Sequence, residues 1–365
     1  MNEKLAEKIA RRIRAEGPLT FAAYMAMALH DPVAGYYARR DSIGADGDFT
    51  TAPEISQVFG ELIGLWCAAL WQEIGRPDPV ILAELGPGRG VLMSDFLRAA
   101  ASLPEFRRAL RLYLVEASPV LRGEQEKRLG QAQPVWVTRA EDLPIGPMLL
   151  VANEFLDALP IRQFVRGIRH WSERMVSLDP EDQLVFVDGP ESPAATLFVP
   201  ATLRHSRPGS VAEICPAALA LANALGARLV RQPGAALFID YGYFPSKLGP
   251  TLRAIQRHRL VSVLTAPGTG DLSAHVDFAA FAEAVRAGGA QTHGPVTQHR
   301  FLAALGAELR LSALSARAMP SQRQALESGV RRLLDPREMG DLFKVVALVS
   351  PGLLQPVGFD RVVTL

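Results

Sequence analysis

The stretch that most constrains the fold is Val80-Ile81-Leu82-Ala83-Glu84-Leu85, which runs directly into Gly86-Pro87-Gly88-Arg89-Gly90. The apolar run before the glycines suits a strand buried on both faces. Glycines let the backbone turn tightly and come close to a ligand. Residues 91–101 then carry a helical pattern. A strand, a glycine turn and a helix in that order make the crevice beyond the strand end a binding place.

The same alternation continues. Residues 112–116 read as a second strand, 119–129 as a helix with Pro119 in its first turn, 135–137 as a third strand and 148–152 as a fourth. Residues 235–240 and 343–349 read as later core strands. This succession predicts an α/β fold, a Rossmann-like, parallel, doubly wound sheet. Residues 161–215 break the rhythm with short strands, predicting a β-rich insertion that serves as the substrate region. Residues 1–75 read as a helical region covering the cofactor cleft, with Thr20 placed to cap a helix and a loop over 35–53. The domain reading is therefore 1–75, a first core part at 76–160, the insertion at 161–215, and a second core part with helical insertions at 216–365. Tyr36 and Tyr37 read as packing the N-terminal loop over the cleft, and Phe49 as a core-packing residue.

Composition bounds the function. The 365 residues are 48% hydrophobic, enough for a large core, and the net charge is +1. A balance so near neutral argues against a dedicated nucleic-acid binder. The two cysteines, Cys67 and Cys215, offer neither a metal spacing nor a disulfide framework, so no metal is expected and both read as buried free thiols. No apolar run approaches the roughly 18 residues of a membrane span. Residues 1–16 read as an amphipathic helix carrying Glu3, Glu7 and Glu16, unlike a secretory signal or an acid-poor transit peptide. The expectation is a cytoplasmic, prokaryotic protein. The sequence leaves the oligomeric state open, homodimer included.

The glycine spacing narrows the cofactor. A dinucleotide fingerprint is G-x-G-x-x-G. Here the third glycine comes one residue earlier and Val91 takes the dinucleotide position. An acid two residues before a G-x-G-x-G resembles the first motif of class I methyltransferases, which implies S-adenosyl-L-methionine. Glu84 can receive that cofactor's ammonium. Glu116, at the end of the second strand, can accept hydrogen bonds from both ribose hydroxyls. Gly86, Pro87, Gly88 and Gly90 form the turn. Asp142 is a candidate for the adenine amine, or a solvated loop carboxylate.

Longer blocks carry a resemblance to a family. They include Gly35-Tyr36-Tyr37, Gly47-Asp48-Phe49, Pro53-Glu54-Ile55-Ser56-Gln57, Phe59-Gly60-Glu61, Glu84 to Gly90, Asn153-Glu154-Phe155-Leu156-Asp157, Asp240-Tyr241-Gly242, Ser273-Ala274-His275-Val276-Asp277 and Gly294-Pro295-Val296-Thr297-Gln298. Together they resemble the MidA family of methyltransferases over about residues 18–350. The resemblance implies a class I methyltransferase fold and protein arginine as the acceptor. It further implies symmetric dimethylation of a respiratory complex I subunit in the mitochondrial members, whose transit segment the amino end here does not resemble.

Asn153, Glu154 and Asp157 follow the fourth strand and are the leading catalytic candidates, with His275 beside them. Arginine is cationic and its lone pairs are delocalised. A carboxylate pair can clamp a guanidinium and leave one nitrogen to attack. If the segment turns helically, Glu154 and Asp157 share a face. Glu54 is a further acid that can reach the crevice and is grouped with the cofactor residues. Asn153 can equally cap a following helix with Glu154 in its first turn, and His275 can equally be structural. Asp240 and Tyr241 end a core strand and are expected at the cofactor edge. The absence of an N-P-P-F/Y motif lowers DNA and glutamine as acceptors. The alternatives are methyl transfer to a small molecule or another protein nucleophile, and a non-catalytic assembly factor that binds the cofactor.

Overall fold

The computed structural model describes residues 4–38, 50–257 and 259–359. The Gly47-Asp48-Phe49 block, and the packing role expected of Phe49, lie outside them. The chain forms two compact units, one from residues 1–49, 156–220 and 243–281, the other from 50–155, 221–242 and 282–365.

The second unit is built on β1 (Val80–Leu85), β2 (Leu110–Val115), β3 (Val135–Val137), β4 (Met148–Asn153), β5 (Gly234–Tyr243), β6 (Gln291–Thr297) and β7 (Phe343–Val349). The strands lie in the order β3-β2-β1-β4-β5-β7-β6. Strands β1 to β5 pair in parallel. Strand β7 runs antiparallel to both neighbours. The parallel succession read from the sequence holds for β1 to β5, and β7 adds an antiparallel strand beside them. Apart from Lys344, strand β7 is an apolar run, and a run without alternation does not record its direction. Strand β6 was not legible at all. It is a polar strand at the end of the sheet, with a register shift between His293 and Val296, and such edges tolerate its Pro295.

Two helices show why the apolar segments fold where they do. Helix α1 (Gln57–Glu73) starts at Ser56, whose side chain accepts from the Val58 N–H. It packs on α2 (Val91–Ala100), which leaves the glycine turn. The approach is close because α1 presents glycines. A Cβ on Gly60 would lie 2.9 Å from the Leu92 carbonyl oxygen, and one on Gly64 3.0 Å from that of Phe96. Phe59, Phe96 and Phe106 are fully buried in the resulting core, each worth roughly 1.5–3 kcal/mol against exposure. Buried Glu61 locks α1 down, accepting from Arg98 at 3.0 Å and Arg310 at 2.7 Å. The helical region expected over 1–75 is therefore divided, since α1 belongs to the sheet unit.

The other unit contains the helices Leu5–Glu16 and Phe21–His30, the second capped by Thr20 as the sequence suggests. Leu5, Ile9 and Ile13 form its core with Phe21, Tyr24 and Val176. The β-rich stretch is present as antiparallel strands Arg162–Arg166, Trp171–Leu178, Leu184–Asp188 and Val211–Ile214. Buried Glu213 ties this sheet to the next segment, accepting from Gln163 at 2.7 Å and from the Thr251 N–H at 2.9 Å. Among the described residues no helix is long and apolar enough to cross a membrane.

Candidate functional site

Strand order reverses between β1 and β4, and the crevice beyond their carboxyl ends is where open α/β sheets bind ligands. Side chains two apart on a strand share a face, and paired residues point the same way. Glu84 pairs with Leu114 and Val151. Glu116 and Asn153 lie two residues beyond those partners. The three polar residues therefore continue one apolar stripe past the core, on the face that Leu82, Leu114 and Val151 turn toward α1 and α2.

Glu84 is 3% exposed, and its Oε2 is buried without a hydrogen-bond partner. Burial pushes its carboxyl up to about 8, and the neighbouring Glu116 adds to the shift. Asn153 donates from Nδ2 to Glu154 Oε1 at 3.0 Å, while its Oδ1 is also buried without a partner. A buried acceptor left unpaired costs about 1–3 kcal/mol, so a ligand bearing N–H donors would relieve both. Glu116 accepts from the Ser118 N–H at 2.7 Å through Oε1 and from Gln125 Nε2 at 3.3 Å through Oε2. Burial raises its carboxyl above the usual range, and those donors oppose the rise.

The glycine turn is left-handed at Gly86, Gly88 and Gly90, with φ of 61°, 52° and 76°. At Gly86 close approach adds to the need, since a Cβ there would lie 2.9 Å from Cδ2 of Phe155. Buried Pro87 accepts from the Gly90 N–H at 2.8 Å and closes the turn. Glu54 lies in the short helix Ala52–Ile55, its carboxylate 3.9 Å from the Arg89 guanidinium.

Glu154 has φ 51°, left-handed and unfavourable for a side-chain-bearing residue. Its Oε1 accepts from the Ala52 N–H at 3.1 Å and from Asn153, clipping the Glu54 helix to the strand end. Asn153 ends β4 and no helix follows, so it caps none and the shared helical face for Glu154 and Asp157 does not form. Asp157 and His275 belong to the other unit. There the Asp157 carbonyl accepts from the Ala274 N–H at 3.0 Å. Tyr37 donates to Asp271 at 3.2 Å, and burial followed by the charges of Asp271 and Asp157 holds its hydroxyl far above the usual range. The His275 N–H donates to Thr251 Oγ1 at 2.9 Å. Asp142 is exposed and accepts from the Arg139 N–H at 3.1 Å, capping its own turn.

Asp240 corrects another expectation. Neighbouring strand residues face opposite ways, so only Tyr241 shares the face of Glu84. Asp240 is 1% exposed and accepts from the Phe155 N–H at 3.1 Å, holding the turn after β4. Sequence reasoning missed Gln125, which lies among charged residues of α3 (Pro119–Leu129) and is fully buried. The available signal was its spacing of four from both Leu121 and Leu129, which places all three on one helix face.

These residues fit S-adenosyl-L-methionine. Orphaned acceptors at Glu84 and Asn153 suit its ammonium, the buried Glu116 carboxylate suits a diol, and side-chain-free glycines admit a close ligand.

Comparison with known proteins agrees. Residues 62–296 match a family model of S-adenosyl-L-methionine-dependent methyltransferases. The chain is 36% identical to the "Protein arginine methyltransferase NDUFAF7, mitochondrial" of Danio rerio, over 97% of this chain and 89% of that protein. It is 36% identical to the Homo sapiens protein of that name, over 96% of this chain and 84% of that protein. A Burkholderia thailandensis crystal structure bound to S-adenosyl-homocysteine has TM-score 0.83 and 31% identity, covering 99% of this chain and 96% of that one. The cytoplasmic expectation is overturned by these relatives, whose names place them in mitochondria. It rested on the acids of residues 1–16, a helix whose Leu5, Ile9 and Ile13 belong to a folded core.

Proposed function

This chain belongs to the S-adenosyl-L-methionine-dependent methyltransferase family matched above, and we propose that it methylates an arginine side chain of a protein. The observation that carries the acceptor is identity over nearly the whole chain to relatives named as protein arginine methyltransferases. Glu54 and Glu154, held together beside the end of β4, support it, because a cationic nucleophile needs carboxylates beside it.

When bound, S-adenosyl-L-methionine would supply a sulfonium methyl for the arginine nitrogen, the C–S bond breaking as N–C forms, with S-adenosyl-homocysteine as the leaving group and the guanidinium proton passing to solvent. The chain's own residues position and desolvate. Glu84 and Asn153 take the cofactor's ammonium. Glu116 takes the ribose hydroxyls, and Gly86 to Gly90 leave room for the backbone to approach. Glu154 fixes the segment carrying Glu54 at the strand end, and we assign its negative charge to the acceptor guanidinium as well. The Glu54 carboxylate, already beside one guanidinium in Arg89, is the acid we assign to orienting the acceptor. In-line displacement requires the nucleophile about 3 Å from the methyl carbon, so holding the groups in place is the main catalytic task. We assign Asp157 and His275 to the acceptor side of the reaction, and residues 161–215 to recognition of the acceptor protein.

We further propose a respiratory complex I subunit as the partner and symmetric dimethylarginine as the product, as the family resemblance implies. Mass spectrometry of arginine methylation in cells with and without the gene tests this, beginning with respiratory-chain subunits. A dimethylarginine lost on deletion and restored by the intact gene supports the reading. An unchanged arginine-methylation map overturns it.

A further inference from the structure

One buried side chain joins three parts of the cofactor site. Gln125 is 0% exposed. Its Nε2 donates to the Gly88 carbonyl at 2.8 Å and to Glu116 Oε2 at 3.3 Å. Its Oε1 accepts from Trp136 Nε1 at 2.8 Å. The amide thus spans the glycine turn, the end of β2 and the strand β3.

The Trp136 bond decides which way the amide faces. An indole N–H can only donate, so it selects the amide oxygen and turns the NH₂ toward Gly88 and Glu116. An amide oriented this way has both donors on acceptors of the cofactor site. Leu129, one helical turn on, packs its Cδ1 3.0 Å from where a Gly90 Cβ would be, so the same face of α3 supports the turn at two points.

We propose that Gln125 is a positioning residue for the cofactor: oriented by Trp136, it fixes the Gly88 turn relative to Glu116 and holds the Glu116 carboxylate in place for the ribose hydroxyls. This rests on the reading that Glu116 and the glycine turn hold the cofactor.

The physical consequence is a pH signature. The groups acting on Glu116 are the Ser118 and Ala117 N–H groups, Gln125, the Arg122 guanidinium on its carbonyl, and the Glu84 carboxyl on the neighbouring strand. Burial holds its carboxyl up while the Gln125 donor holds it down. Without that donor Glu116 takes its proton at higher pH. A protonated carboxyl has one fewer acceptor for a diol, so cofactor affinity should then fall as pH falls.

The test is calorimetric titration of S-adenosyl-homocysteine between about pH 6 and pH 9 into the wild type and the variants Gln125→Leu, Trp136→Phe and Glu116→Gln, the charged-acceptor bonds at stake being worth about tenfold or more. The proposal expects Gln125→Leu to bind about tenfold or more weakly, with the loss growing toward acid. It expects Trp136→Phe to show a smaller loss of the same pH sense. Should Gln125→Leu not fold, Trp136→Phe carries the test, since it removes one hydrogen bond from a partly buried ring. Binding of both variants parallel to wild type at every pH overturns the proposal while Glu116→Gln binds weakly. Wild-type binding by Glu116→Gln instead overturns the underlying placement of the ribose.

Discussion

Glu84 and Glu116 stand at the ends of neighbouring strands on one face of the sheet, and burial lifts both carboxyls, with Glu116 adding to the lift on Glu84. Two buried acids side by side are costly unless a ligand with donors meets them. That cost is the physical form of the cofactor site, and it makes binding and pH inseparable.

Cofactor binding should release protons. With Glu84 up at about 8, roughly nine-tenths of it is protonated in the free protein at pH 7. An ammonium favours the carboxylate, so binding should expel close to one proton per chain at pH 7 and almost none by about pH 9. Titration with S-adenosyl-homocysteine in buffers of different ionisation enthalpy measures this. Glu84→Gln should abolish the buffer dependence. A wild-type enthalpy independent of buffer would contradict the assignment.

The same residue sets a slope in the stability of the free protein. Its folded carboxyl titrates at about 8, above the ordinary value of an unfolded chain, so the folded state binds more protons in between. Its contribution is therefore fully present below about pH 4.5 and is lost as pH rises through about 8. Chemical denaturation of the ligand-free protein should show stability falling across that window, and less steeply in Glu84→Gln. Superimposable slopes for the two proteins would refute the argument.

Gly88→Val should remove measurable cofactor binding in calorimetry. The left-handed φ of 52° disfavours a branched residue, and any side chain there enters the path of a close ligand. The far-ultraviolet circular dichroism should remain that of a folded α/β protein. Retained binding would displace the cofactor from this turn.

Glu154→Gln should keep cofactor affinity within a few-fold and lower methyl transfer by about a hundredfold or more, as expected when a charge that positions a reacting group is removed. The amide oxygen can still accept from Ala52, so the fold should survive. Turnover with labelled S-adenosyl-L-methionine and an arginine-bearing acceptor measures it. Unaltered turnover would reduce Glu154 to a clip for the Glu54 helix.

Much of the core was legible because its signals are local. The apolar run at Val80–Leu85, the glycines after it and Glu116 at the next strand end all lie close in sequence. What depends on distant partners was not legible. Nothing near Asn153 announces that Ala52 occupies Glu154, or that the turn there is left-handed rather than helical. Asp240 and Tyr241 could not both face the cofactor, a point the strand period alone decides. The polar strand Gln291–Thr297 gave no apolar pattern to read, and the direction of Phe343–Val349 is set by its neighbours in the sheet. Gln125 was hidden because a buried amide amid surface charges looks, in sequence, like one more solvated residue.

The most direct test of the cofactor site is a crystal structure of this chain with S-adenosyl-homocysteine. The account predicts the ligand's ammonium on Glu84 and Asn153, its ribose hydroxyls on Glu116, and its backbone contacts along Gly86 to Gly90. A ligand seated away from the β1 and β4 ends, or one leaving the Glu84 carboxylate and the Asn153 Oδ1 without a donor, would contradict it.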